Sequence, residues 1–318
     1  MFNPESMQKK SRTPEEIRKN SERANADFGE TSEGDGTKEK DSVFPTAFMT
    51  ARCFAEQTQI PNAKELYKIF LEKSGLEKEI NALGDIRTPH FMELRYLMTE
   101  KILRSSLENG EISQVIELAS GFTPHSINML STEQEIETYI ENDFAVNLKM
   151  KQLAVNDFIS GIPVVFIPGN VVDSTTWSKF EGQLEDKPVG IFCEGLMMYL
   201  SRDAQVKLLK NVKELLTKYG GYFMHEDILK YHPELKENPR FNRITSQLKK
   251  VSGAGALDES FSQEDITKFY EEQGFSVERV EEKAELSIDT YPEDVREDAV
   301  ELLNAGFKMW KLSLPKEK

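Results

Sequence analysis

Five short apolar runs each end in a polar or acidic group. Glu117 closes "QVIEL" (114–118), Glu141 and Asp143 close "ETYIEND", and Asn170 and Asp173 follow "PVVFIP" (163–168). Glu194 closes "VGIFCE" (189–194), and His225, Glu226 and Asp227 close "GYFMHED" (221–227). One acid at the end of a buried strand is ordinarily a helix cap or a loop residue. Five such ends in one sheet line a single rim, and open α/β sheets bind ligands outside the carboxyl ends of their strands.

A glycine-bearing loop, "LASGFTPHS", follows the first run, and an acid follows the second run about twenty residues on, the spacing of a nucleotide-ribose site. Gly121 lets a ligand approach the backbone, and a carboxylate accepts both ribose hydroxyls. The loop lacks G-x-G-x-x-G, and two acids crowd the second strand end, where a phosphate-bearing ligand would want few negative charges. The site therefore suits a nucleoside without phosphates. S-adenosylmethionine fits: it brings ribose hydroxyls, a sulfonium that tolerates acids, and a carboxylate for a cation to hold. An NAD-type dinucleotide oxidoreductase is the competing reading of the same spacing.

The elements that must position these residues are legible in the periodicity. Between 44 and 109 the pattern is helical. "PNAKELYKIFLEKSGL" places Leu66, Ile69, Phe70 and Leu71 on one side. "TPHFMELRYLMTEKILRSSLENG" has a capping Thr88, Pro89 in its first turn and Gly110 at its exit. Its stripe is Phe91, Leu94, Met98 and Ile102, with Arg95 in the middle, where a guanidinium needs an anion or a route to water. After 110, apolar runs alternate with amphipathic helices, the clearest being Asp203 to Tyr219, which predicts βαβ units. "GFSVERVEE" and "FKMWKLSL" predict an antiparallel pair at one sheet edge. The fold expected is a doubly wound α/β sheet, with a helical N-terminal part over 43–110 and a sheet core over 111–318. Residues 1–42 carry almost no large apolar side chains and read as a disordered tail.

The chain has 318 residues and a net charge of −15. That charge repels phosphate backbones, so nucleic acid is not an expected partner. No apolar stretch reaches membrane-spanning length and Met1 opens no signal-peptide pattern, so no membrane partner and a cytoplasmic location are expected. Cys53 and Cys193 sit apart in apolar surroundings and read as reduced core residues, with no metal site. The sequence leaves the oligomeric state open.

"RYLMTEKIL", "VIELASGFTPHSINML", "TYIENDFAVNLKMKQ", "VGIFCEGLMMYLS" and "LLTKYGGYFMHEDI" follow one another across most of residues 44–314. They resemble the leucine carboxyl methyltransferase family, nearest its bacterial branch related to polyketide carboxyl O-methyltransferases. The specific segments are E-L-A-S-G and E-G-L-M-M-Y-L. The resemblance implies a class I S-adenosylmethionine-dependent methyltransferase fold, with a Rossmann-like seven-stranded sheet whose last strand is antiparallel. It also implies roles. Arg95 would bind the methionine carboxylate, and Glu117 belongs to the same cofactor rim. Gly121 would bring the loop against the ligand, and Asp143, with Glu141 beside it, would hold the ribose. Asn170 and Val171 would lie against the adenine, and Glu194 would face the methionine amino group or the sulfonium. Asn170 stands where the family more often has aspartate, and His125 where relatives often have arginine.

A methyltransferase of this kind would act on a carboxylate or a hydroxyl of a small-molecule acceptor. A carboxylate needs no base, whereas a hydroxyl does. His225 is the candidate base, and Tyr199 a candidate to line the acceptor site. A protein that binds S-adenosylmethionine without catalysis is the third reading. Removing Arg95 is expected to cost cofactor affinity more than stability.

Overall fold

The computed structural model describes residues 37–74, 77, 89–132, 136–158, 164–226, 263–280, 285–286, 288–305 and 308–315. Three helices come first: α1 (Thr37–Gln57), α2 (Ala63–Ser74) and α3 (Pro89–Glu108). Helix α1 starts ahead of the Val43 boundary. Residues 1–36 of the expected tail, and the Thr88 cap, lie outside the described residues.

Strands and helices then alternate. They are β1 (Gln114–Leu118), α4 (His125–Leu130), β2 (Thr138–Asp143), α5 (Ala145–Phe158), β3 (Val164–Pro168), α6 (Ser174–Glu181) and β4 (Val189–Cys193). A short 3₁₀ turn (Met197–Tyr199) leads to α7 (Arg202–Tyr219) and β5 (Gly221–Glu226). Helix α8 (Gln263–Glu272), β6 (Ser276–Val280), a second 3₁₀ turn (Ile288–Thr290), α9 (Glu293–Ala305) and β7 (Met309–Ser313) complete the order.

The seven strands form one sheet in the order β3-β2-β1-β4-β5-β7-β6. Strands β1 to β5 pair in parallel, while β7 is antiparallel to both β5 and β6. This is the doubly wound, seven-stranded, mostly parallel sheet expected, with the antiparallel pair at its edge. The parallel strands are nearly continuous apolar runs because both faces are covered. One face carries Val115, Tyr139, Phe166, Phe192, Tyr222 and Met224 and packs against the N-terminal helices and α5. The other carries Ile116, Ile140, Val165, Ile191, Phe223 and Trp310 and packs against α6, α7 and α8.

Side chains alternate along a strand, so the sheet sorts the rim residues by parity. Glu117, Glu141, Asp143, Glu194 and Glu226 share parity with the first set and face the N-terminal helices. His225 and Asn142 face the other way. The polar ends read off the sequence as one rim are thus divided between two faces.

Helix α7 shows the local logic. Ser201 caps it by accepting a hydrogen bond from the Ala204 amide at 3.3 Å, and Gly220 leaves it at φ +75°. Leu208, Val212 and Leu215 lie buried on one side, as the spacing predicts.

Candidate active site

The loop after β1 is built to stand close to a ligand. Ala119 and Gly121 take positive φ values of 52° and 48°. The Gly121 amide donates to Asp143 Oδ2 at 2.7 Å. Asp143 Oδ1 accepts from the Phe144 amide at 2.6 Å and from Asn147 Nδ2 at 2.9 Å. A carboxylate has about four acceptor positions, so Oδ2 keeps one free beside the loop. Burial pushes the Asp143 carboxyl up, and these donors only partly offset that. Phe122 anchors the loop from the other side, its ring centroid 4.6 Å from that of Phe48 and 4.4 Å from that of Phe70. The N-terminal helices therefore set the position of the loop.

Glu117 and Glu141 sit beneath this loop rather than on its surface. Glu117 accepts from Thr123 Oγ1 at 2.6 Å and Tyr139 Oη at 2.8 Å. Glu141 is fully buried and pairs with the equally buried Lys151, Nζ to Oε2 at 2.7 Å. Lys151 also reaches the Ser120 carbonyl and Thr123 Oγ1, at 3.4 and 3.5 Å. Glu117 and Glu141 Oε2 thus support the loop from below. Lys151 was missed. Its signal was present, since α5 buries Leu148, Lys151, Ala154 and Val155 on one helical face.

Glu194 is the centre of the site. Arg95 Nε donates to its Oε2 at 3.0 Å, and His125 Nε2 lies 3.1 Å from its Oε1. Burial would push this carboxyl up, but Arg95 and then His125 overcome it and hold it at about 2. Burial would likewise depress His125, yet Glu194 and Glu100 raise it to about 10, so the ring is an imidazolium at neutral pH. It stacks on Tyr96 with ring centroids 3.9 Å apart, and its Nδ1 lies 3.7 Å from Glu100. Tyr96 Oη donates to Glu100 at 2.6 Å, and Arg104 closes that carboxylate at 3.1 Å.

Arg95 therefore has protein partners before any ligand arrives. Its Nη1 also lies 3.7 Å from Glu226 Oε1, which accepts the Gly195 amide at 2.6 Å. This revises the expectation that Arg95 contributes little to stability. Its Nη2 makes no hydrogen bond among the described residues. Gly195, at φ +68°, brings its backbone against the guanidinium: a Cβ there would lie 3.4 Å from Nη1. Tyr199 is half-buried beside Arg95 and Glu226. Burial is the main cause raising its phenol to about 12, so it stays neutral.

The remaining expected residues are more peripheral. Asn170 is exposed, and its Oδ1 accepts from the Val172 amide at 3.2 Å, fixing the turn after β3. Val171 is buried, and its carbonyl accepts from Trp177 Nε1 at 2.7 Å. His225 faces away from this rim. It lies fully buried on the opposite face, with Nδ1 2.8 Å from the Glu226 carbonyl and Nε2 2.8 Å from Tyr270 Oη. One neutral tautomer satisfies both contacts. The cause is strand alternation: the residue next to Glu226 must face away from it.

Among the described residues of the rim face, the buried carboxylates Glu117, Glu141, Asp143 and Glu226 and the buried side chain of Glu194 meet the buried cations Arg95, His125 and Lys151. A ligand bearing positive charge redresses that imbalance. Buried Glu226 Oε2 and Glu141 Oε1 also lack hydrogen-bond partners among the described residues. Those residues hold no cluster of three or more His, Cys, Asp or Glu arranged for a metal ion. Nor do they include a helix long and apolar enough to cross a membrane.

The family model for leucine carboxyl methyltransferase matches residues 44–213. Among solved structures, a DUF574 family protein from Streptomyces avermitilis superposes with a TM-score of 0.55 at 12% identity, covering 85% of this chain and 97% of that one. A candidate methyltransferase from Thermobifida fusca does so with a TM-score of 0.51 at 12% identity, covering 85% and 94%. These likenesses concern the fold. A search of curated proteins finds no match.

Proposed function

Because the chain belongs to the leucine carboxyl methyltransferase family and is thereby an S-adenosylmethionine-dependent methyltransferase, we propose that it is an O-methyltransferase acting on a small-molecule acceptor, with the cofactor held at the rim of β1, β2, β3 and β4. The observation that carries this reading is the row of buried carboxylates on one sheet face, which among the described residues outnumber the buried cations set among them. A sulfonium and an ammonium group suit that field.

The residues divide the cofactor between them. Asp143 Oδ2 has an acceptor position left for a ribose hydroxyl. The turn of Asn170 and Val171 is the adenine side. Arg95 Nη2 makes no hydrogen bond among the described residues and can take the methionine carboxylate, while Glu194 lies beside it for the amino group. The bound group supplies a methyl on a positively charged sulfur. The chain's part is to align that methyl with the acceptor atom and exclude water, a positioning effect that can supply most of the rate. The dinucleotide alternative loses its support, since the family is one of methyltransferases and the loop has one glycine.

Calorimetry with S-adenosylhomocysteine tests the assignment. Asp143→Ala should weaken binding by about 1.5–3 kcal/mol, the range for a hydrogen bond to a charged group. Unchanged affinity would remove Asp143 from the ribose site.

A further inference from the structure

Arg95 lies between two acids that are satisfied to different degrees. Its Nε donates to Glu194, and its Nη1 faces Glu226 Oε1 at 3.7 Å. Glu194 has a cation on each oxygen, Arg95 on Oε2 and His125 on Oε1. Those cations overcome the effect of burial and hold its carboxyl at about 2. Glu226, which has none of the roles above, is 2% exposed at the carboxyl end of β5. Burial is the largest influence on its carboxyl and raises it, Arg95 opposes only in part, and Glu194 adds to the rise. Among the described residues, charge compensation is therefore complete at Glu194 and short at Glu226.

Hydrogen bonding tells the same story. Glu226 Oε1 accepts the Gly195 amide at 2.6 Å, which fixes the direction of the carboxylate. Its Oε2 is buried and has no hydrogen-bond partner among the described residues. Leaving a buried acceptor unsatisfied is costly, and native structures nearly always pair such atoms. A partner that suits this oxygen donates a hydrogen and, with a second acid nearby, carries positive charge.

The methionine part of the cofactor brings such a group to this place. Its carboxylate and its ammonium are borne on one carbon. A carboxylate on Arg95 Nη2 thus sets the ammonium next to the acids that flank the guanidinium. An ammonium has three hydrogens to donate, enough for more than one acceptor.

We propose that Glu226 Oε2 is the main acceptor for the methionine ammonium, with Glu194 the lesser one. This rests on the cofactor placement above and adds Glu226 to it. Glu194, which already carries two cations, serves chiefly to fix Arg95. Carboxylate on the guanidinium and ammonium on Glu226 then sort the two charges of one amino-acid zwitterion. The Gly195 amide and Arg95 hold Glu226 in place before the ligand arrives, so little ordering is left for binding to supply. The pocket in consequence selects against a ligand that lacks the amino group.

Calorimetry on the full chain tests this with two ligands. One is S-adenosylhomocysteine. The other is its deaminated analogue, which keeps the adenosine, the thioether and the carboxylate but has hydrogen in place of the amino group. The proteins are wild type, Glu226→Gln, whose side-chain oxygen can still accept the Gly195 amide, and Glu226→Asp. Glu226→Gln should lose about tenfold to a hundredfold in affinity for S-adenosylhomocysteine, the range for a hydrogen bond between charged groups. It should lose less than about threefold for the analogue, which cannot make that bond. Glu226→Asp keeps the charge on a shorter arm and should lose less than Glu226→Gln. Equal losses on both ligands would make Glu226 a support for Arg95 and overturn the proposal. Unchanged affinity of Glu226→Gln for S-adenosylhomocysteine would leave the ammonium to Glu194 and overturn it too. If the glutamine variant does not fold, the aspartate variant decides by the same comparison: a loss on S-adenosylhomocysteine larger than that on the analogue is expected, and equal losses refute. Wild-type protein that binds neither ligand would instead overturn the cofactor placement itself.

Discussion

Replacing His125 by glutamine should make the protein's stability less sensitive to alkaline pH. The imidazolium is fully buried between Glu194 and Glu100, and although burial opposes its charge, those acids raise it from 6.5 to about 10. At 1.36 kcal/mol per pH unit, that span corresponds to about 5 kcal/mol of preference for the charged form. The span on Glu194 is smaller, from 4.5 to about 2, and Arg95 contributes to it before His125 does. The same attraction is being seen from both ends. The smaller span corresponds to about 3.4 kcal/mol, and with Arg95 the larger contributor His125 holds about 1–2 kcal/mol of it. The folded value lies above the ordinary one, so this stabilisation is complete below about pH 6.5 and is lost as the pH rises through about 10. Denaturant titrations at pH 7 and pH 10 should show wild type losing about 1–2 kcal/mol more than His125→Gln. Parallel losses in the two proteins would mean that the ring is neutral in the fold, and the charge balance drawn for the site would fail.

Two other buried cations give related expectations. Lys151→Met should lower stability by about 3–5 kcal/mol, the range for stranding one partner of a buried pair, and adding Glu141→Gln should restore most of it. If the double variant is no better in chemical denaturation, Lys151 acts through Ser120 and Thr123 instead. Arg95→Met should destabilise the ligand-free protein by about 3 kcal/mol, because Glu226 loses its cation and Glu194 keeps only His125. A melting temperature equal to wild type would refute that and return Arg95 to a role in ligand binding alone.

The fold was legible because its signals are local. Parallel strands buried on both faces must be short and apolar, and "QVIEL" and "VGIFC" have no other use. Helix α7 announces itself through Ser201, Gly220 and a stripe of Leu208, Val212 and Leu215. The edge pair β6 and β7 could be read as antiparallel, but not the insertion of β7 between β5 and β6. That order is decided by long-range pairing such as Phe223 with Leu312, to which local pattern is blind.

The candidate site was legible only in part, for two physical reasons. The first is parity. A sequence shows that a strand ends in His225 and Glu226 but not which of them turns toward the ligand, and a shift of one position moves a side chain to the other face. His225 is the histidine among the strand-end residues, whereas the sheet turns the neighbouring acid, Glu226, inward. The second is partnership. Arg95, His125 and Lys151 lie on three different helices, and the first two meet an acid far away in sequence, Glu194 being 99 positions from Arg95 and 69 from His125. Arg95 and Lys151 each interrupt an apolar helical face, and that interruption is the signal that an anion waits opposite. Read that way, the oddity of Glu194 at the end of an apolar strand and the oddity of Arg95 in an apolar stripe have a single cause. Neither is tolerable buried alone, and the turn at Gly195, having no side chain, lets the guanidinium lie against the backbone between Glu194 and Glu226.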